Sequence, residues 1–137
     1  MAGTQLVHVG IRATDLERSV GFWRDVLGLR VASTMEGCYD LTDGRHNFRL
    51  FTNGGAPRPP AVGGLMAYLH VGIRVDDLQQ AIARCLAADV PIVWDGVDQG
   101  HAYDPVSPPS RSFKVEDPDG IIVDVSADPE QWPGVVV

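Results

Sequence analysis

Two histidines of this 137-residue chain stand in the same local context. His8-Val9-Gly10-Ile11-Arg12 recurs as His70-Val71-Gly72-Ile73-Arg74, and two residues later Asp15-Leu16 recurs as Asp77-Leu78. Seven of nine positions are thus identical at an offset of 62. An imidazole titrates near neutrality and is the commonest metal-ligating side chain, so each histidine is a candidate acid–base group or ligand. One histidine on a strand is more often a satisfied structural residue. Two at equivalent places of a repeat carry more weight, because pseudo-symmetry would bring both strands to one cleft. Asp124, between Val123 and Val125, adds a carboxylate on a final strand.

The elements that must position these groups repeat as well. Leu6 to Ile11 alternates, with Val7, Val9 and Ile11 on one face and Leu6, His8 and Gly10 on the other, the period of a strand. Thr14 or Asp15 then caps a helix whose apolar stripe is Leu16, Val20, Trp23, Val26 and Leu27, and Gly28 stops it. In the second copy Asp76 or Asp77 caps, the stripe is Leu78, Ala81, Ile82, Cys85 and Leu86, and the helix ends near Ala88-Asp89 ahead of Pro91. Strands are expected at Arg30–Met35, Cys38–Leu41 and Asn47–Thr52, and at Ile92–Asp95, Ser112–Glu116 and Ile121–Ser126. Glu36-Gly37, Asp43-Gly44 and Asp117-Pro118-Asp119-Gly120 read as turns.

The fold class is therefore α+β: two tandem βαβββ modules, each a four-stranded sheet with one helix on one face. The other face needs burial or a ligand, so paired modules form a cleft, completed in a homodimer. Module one spans about 5–53, the Gly/Pro-rich linker 54–66, module two about 67–127, and a tail 128–137.

Charge divides along the same line. Residues 1–62 carry +1 and residues 63–137 carry −8. A net acidic chain without a basic stripe argues against nucleic acid and anionic membrane surfaces as partners. No apolar run approaches the roughly 18 residues of a membrane-spanning helix, and no signal segment is visible at the start. Cys38 and Cys85 are too few for a disulfide scaffold and match no zinc spacing, so a reduced, cytoplasmic setting is the expectation.

With its two His-Val-Gly-Ile strands, its Asp-Leu helix starts, Phe22-Trp23 with Val26-Leu27-Gly28-Leu29, and Val115-Glu116-Asp117-Pro118-Asp119-Gly120 before the last strand, the sequence resembles the vicinal oxygen chelate superfamily. That superfamily comprises glyoxalase I, bleomycin-resistance proteins, fosfomycin-resistance enzymes and extradiol dioxygenases. The resemblance runs from about Leu6 to Ser126 and implies the superfamily, not one activity. In its metal-dependent members the ligands come from the first and last strand of each module. Carried over, these positions are His8, His70 and Asp124, a set suited to iron, manganese, zinc or nickel with open positions for substrate oxygens.

The fourth position falls on Arg49, by the apolar–charged–apolar pattern that Phe48-Arg49-Leu50 shares with Val123-Asp124-Val125. A guanidinium cannot ligate a cation. Arg49 would instead hold an anionic substrate group, or pair with Asp124 in a vacant metal site. Asp124 also stands where the family usually has a longer Glu. The missing acid disfavours glyoxalase I; Lys114, where extradiol enzymes have tyrosine, disfavours that subfamily; the fosfomycin type fits loosely. The leading expectation is a divalent-metal enzyme (lyase, isomerase, dioxygenase or resistance transferase type) acting on a small oxygenated metabolite or antibiotic. The alternative is a metal-free resistance protein that sequesters a drug or metabolite in a dimer cleft, with no cofactor. Tyr68, Tyr39, Trp94, Tyr103 and Phe113 would then wall the cleft. His101 and Tyr103, in the long loop Gly96–Ser110, are further candidates for contact with the ligand.

Overall fold

The computed structural model describes residues 6–57, 70–95 and 102–133, with Trp94 and Asp95 as backbone alone. The elements follow one order twice. The first pass is β1 (His8–Ala13), α1 (Leu16–Gly21) running into a π-helical stretch (Phe22–Val26), β2 (Arg30–Met35), β3 (Cys38–Thr42) and β4 (Asn47–Thr52). The second is β5 (His70–Arg74), α2 (Leu78–Ala87), β6 (Ile92–Asp95), β7 (Ser112–Glu116) and β8 (Ile122–Ser126).

Each pass closes its own mixed sheet, ordered β1-β4-β3-β2 and β5-β8-β7-β6. The first and last strands of each pass pair in parallel, and the remaining pairs are antiparallel. The chain divides into two compact units, Met1–Pro59 and Pro60–Val137. This is the α+β architecture of two βαβββ modules that the repeat implies.

Local chemistry accounts for the element ends. Of the two candidate caps at each helix start, the second acts: Asp15 accepts from the Arg18 amide and Asp77 from the Gln80 amide, both at 3.0 Å. Gly28, at φ 86°, ends the first helix in the left-handed region that glycine tolerates. The first helix departs from the single stripe expected of it. At Phe22 it widens, with the Leu27 amide bonding the Phe22 carbonyl at 3.2 Å. Phe22, Trp23 and Val26 are all buried there, and the Trp23 ring packs 4.4 Å, centroid to centroid, from Phe48 of β4.

The core of each unit lies between its helix and one sheet face. Ile11, Val20, Trp23, Leu41 and Leu50 fill the first; Leu78, Ile82, Cys85, Phe113, Val115, Val123 and Val125 fill the second. Strand alternation then sends the intervening residues to the opposite face. That face carries the polar groups.

Candidate functional site

His8, Gly10 and Arg12 alternate with the buried Ile11 and Ala13, so they share the face opposite the helix. The register supplies their neighbours. Gly10 lies opposite Arg49 of β4, and Arg49 opposite Asp40 of β3. In the second unit Gly72 lies opposite Asp124 of β8, and Asp124 opposite Lys114 of β7. Arg49, and not Phe48, is therefore the counterpart of Asp124, as the sequence pattern indicates.

In unit one Asp40 is the hub. Arg49 donates Nε to Oδ1 at 2.7 Å and Nη2 to Oδ2 at 2.8 Å, the bidentate arrangement a planar guanidinium favours. Asn47 Nδ2 donates to Oδ1 at 2.9 Å and Ser33 Oγ to Oδ2 at 3.2 Å. These bonds, from Arg49 first and Asn47 next, hold the Asp40 carboxyl well below the usual carboxylate range. The other end of Asn47 reaches His8: Oδ1 lies 2.5 Å from Nδ1.

In unit two the same strands carry the charges in reverse. Lys114 Nζ lies 2.5 Å from Asp124 Oδ1, and His70 Nε2 lies 2.8 Å from Asp124 Oδ2. The lysine and aspartate side chains are 3% and 9% exposed, whereas His70 is 50% exposed. A buried ion pair therefore ends in an imidazole open to solvent. Arg49 and Asp124 each have a partner within their own sheet.

An aromatic ring completes the second face. After β8 the chain turns, with the Asp128 amide on Ser126 Oγ at 3.0 Å, the Gln131 amide on the Asp128 carbonyl at 3.2 Å, and Arg111 paired to Asp128. This brings Trp132 against Gly72, where a Cβ would lie only 2.6 Å from Trp132 Cζ2. Only glycine admits that approach.

The expected aromatic wall is redrawn. Phe113 is fully buried on the helix side, and the Tyr39 hydroxyl donates to Glu17 Oε1 of α1 at 2.8 Å, so both side chains belong to the packed face. Strand parity explains this placement: Tyr39 alternates with Asp40, and Phe113 with Lys114. Tyr103 is half-buried in the segment before β7. Tyr68, His101 and the Trp94 side chain lie outside the described residues. Asp40, Asn47 and Lys114, which sequence reasoning did not place in the site, were accessible from the same parity. Trp132 was not, because nothing local to the tail shows where it turns.

Residues 5–125 match the model of the Glyoxalase/Bleomycin resistance protein/Dioxygenase superfamily. The chain belongs to this superfamily. Among solved structures of the same fold, a lactoylglutathione lyase from Agrobacterium tumefaciens is 23% identical, with 96% of this chain and 98% of that chain covered at a TM-score of 0.65. The trypanothione-dependent glyoxalase I of Leishmania major is 23% identical, with 90% and 86% covered at 0.61. A virulence protein from Salmonella typhimurium is 18% identical, with 92% and 98% covered at 0.65. No curated protein matches the sequence. No described helix is long and apolar enough to cross a membrane.

Glyoxalase-superfamily proteins often use a divalent metal. The donor set in either unit here does not suit one. Arg49 fills the first sheet's acidic position with a cation that only donates, and Lys114 already neutralises Asp124. Among the described residues no three His, Cys, Asp or Glu side chains come together in a metal-binding group.

Proposed function

We propose that this superfamily member is a small-molecule-binding protein that holds its ligand on the polar sheet faces by hydrogen bonding and stacking, without a divalent ion. One observation carries the reading: at the two equivalent last-strand positions, Arg49 and Asp124, each side chain is charge-neutralised across the sheet, by Asp40 and by Lys114. Ligation by Asp124 would have to compete with the ammonium beside it, and Arg49 has no lone pair to offer. On the second unit's polar face the exposed imidazole of His70 and the ring of Trp132 remain as contacts for a small, planar, oxygen- or nitrogen-bearing molecule, and on the first unit's the imidazole of His8. The acidic balance of the chain suits a neutral or cationic ligand. The working unit is a homodimer, in the cytoplasm.

A divalent-metal enzyme with His8, His70 and Asp124 as ligands is the competing reading. It has in its favour the 2.8 Å approach of His70 Nε2 to Asp124 Oδ2. Elemental analysis of tag-free protein, before and after reconstitution with iron, manganese, nickel or zinc, separates the two. The binding reading expects no stoichiometric metal in either sample. Stoichiometric metal that disappears in His8→Ala overturns it. Thermal-shift screening of planar oxygenated and cationic compounds, bleomycin among them, then identifies the ligand class, and light scattering at micromolar concentration tests the dimer.

A further inference from the structure

The histidines of the repeat have different partners, and those partners decide which ring nitrogen carries the proton. A carboxylate only accepts, so Asn47 turns its Nδ2 toward Asp40. Its Oδ1, which also only accepts, is then the atom 2.5 Å from His8 Nδ1. The proton of neutral His8 belongs on Nδ1. In unit two the atom 2.8 Å from His70 Nε2 is a carboxylate oxygen, Asp124 Oδ2, whose sister oxygen faces the Lys114 ammonium. The proton of neutral His70 belongs on Nε2.

We propose that His8 and His70, equivalent in sequence and in register, are held in opposite neutral tautomers by Asn47 and Asp124. Each ring presents its remaining nitrogen as an acceptor: Nε2 of His8 and Nδ1 of His70. His8 Nε2 lies over Gly10, 3.4 Å from where a Cβ would stand, and so faces the middle of its polar face. The ligand group that meets either ring is accordingly a hydrogen-bond donor, an N–H or O–H. Asn47 and Asp124 are positioning residues. The tautomers rest on hydrogen-bond geometry alone, whereas the donor character of the ligand rests on the metal-free reading, so a wrong tautomer and a bound metal are distinguishable failures.

Long-range ¹H–¹⁵N correlation spectra of the intact chain read the tautomers directly. They are recorded at about pH 8.5, some two units above the ordinary imidazole pKa, with signals assigned through single His→Gln variants. The expected result is a protonated-type ¹⁵N shift at His8 Nδ1 and at His70 Nε2, with unprotonated-type shifts at the other two nitrogens. Asn47→Leu should move the His8 proton toward Nε2 and leave His70 unchanged, which also reports that the chain is folded. In Asp124→Asn the Lys114 ammonium claims the amide oxygen and turns the NH₂ toward His70, so the His70 proton should move to Nδ1. The same tautomer at both histidines of the wild type overturns the proposal, as does either variant leaving its own histidine unchanged.

Discussion

Arg49 and Asp124 occupy the same place in their two sheets and carry opposite charge. Each faces a glycine of the first strand, Gly10 or Gly72, and an oppositely charged residue of the third, Asp40 or Lys114. Both sheets thereby keep a cross-strand ion pair at one position, with acid and base exchanged. The exchange changes what the neighbouring histidine meets. His70 touches the acid directly, whereas His8 reaches its acid through Asn47.

The buried pair is the more sensitive of the two. Replacing Lys114 by Met leaves the Asp124 carboxylate buried without its cation, and about 3 kcal/mol of stability should be lost in urea unfolding. Adding Asp124→Leu removes the uncompensated charge and should recover most of that loss. A double variant no more stable than Lys114→Met would show that the pair is not what the single replacement disturbs.

Acid should weaken unit one through Asp40. Its pKa is depressed in the folded chain, chiefly by Arg49 and then Asn47, so its contribution is complete above the unfolded value of about 3.9 and is lost as pH falls through the lower folded value. Asp40→Asn should unfold several degrees lower than wild type at pH 7, with the gap narrowing below about pH 4. Thermal melts by circular dichroism across that range measure it. A gap independent of pH would contradict the assignment.

Gly72 and Trp132 should be strongly coupled. In Gly72→Ala the new methyl meets the indole at 2.6 Å, which should cost about 1–3 kcal/mol as the ring is displaced. In a Trp132→Ala background the same change should be nearly neutral, and denaturation of the four-member cycle gives the coupling. Gly10→Ala should be milder, because its nearest atoms are side-chain tips, Phe51 Cε1 at 3.3 Å and His8 Nε2 at 3.4 Å.

The two cysteines should react at different rates. Cys85 is buried in the second core, and burial pushes its thiol up to about 11. Cys38 is half-buried on the polar face of β3. At pH 8 a colourless aromatic disulfide reagent should label one thiol quickly, and Cys38→Ser should abolish that phase. Cys85 should label only when denaturant opens the unit.

Much of the fold was legible because its determinants are local. Strand alternation, the Asp caps and Gly28 each act within a few residues, the repeat displays the same local signals twice, and the seven strands with expected bounds lie within two residues of them. The π-helical widening at Phe22 was not legible: no local signal marks it, and the Trp23 buried within it packs against Phe48, a residue distant in sequence. Parity alone put His8 and His70 on the face away from the helix, and it also contained the answer for Tyr39 and Phe113, which belong to the packed side.

The sequence by itself thus determined the repeat, the two-module architecture and which residues could reach a polar face. Tertiary structure decided what those residues do there. Whether Arg49 pairs with Asp40, whether Lys114 neutralises Asp124, and whether Trp132 lies on Gly72 depend on strand register and on where the tail turns. Charge and hydrogen-bond partners act over a few ångströms, and residues from separate strands come within that range only after the sheet has closed.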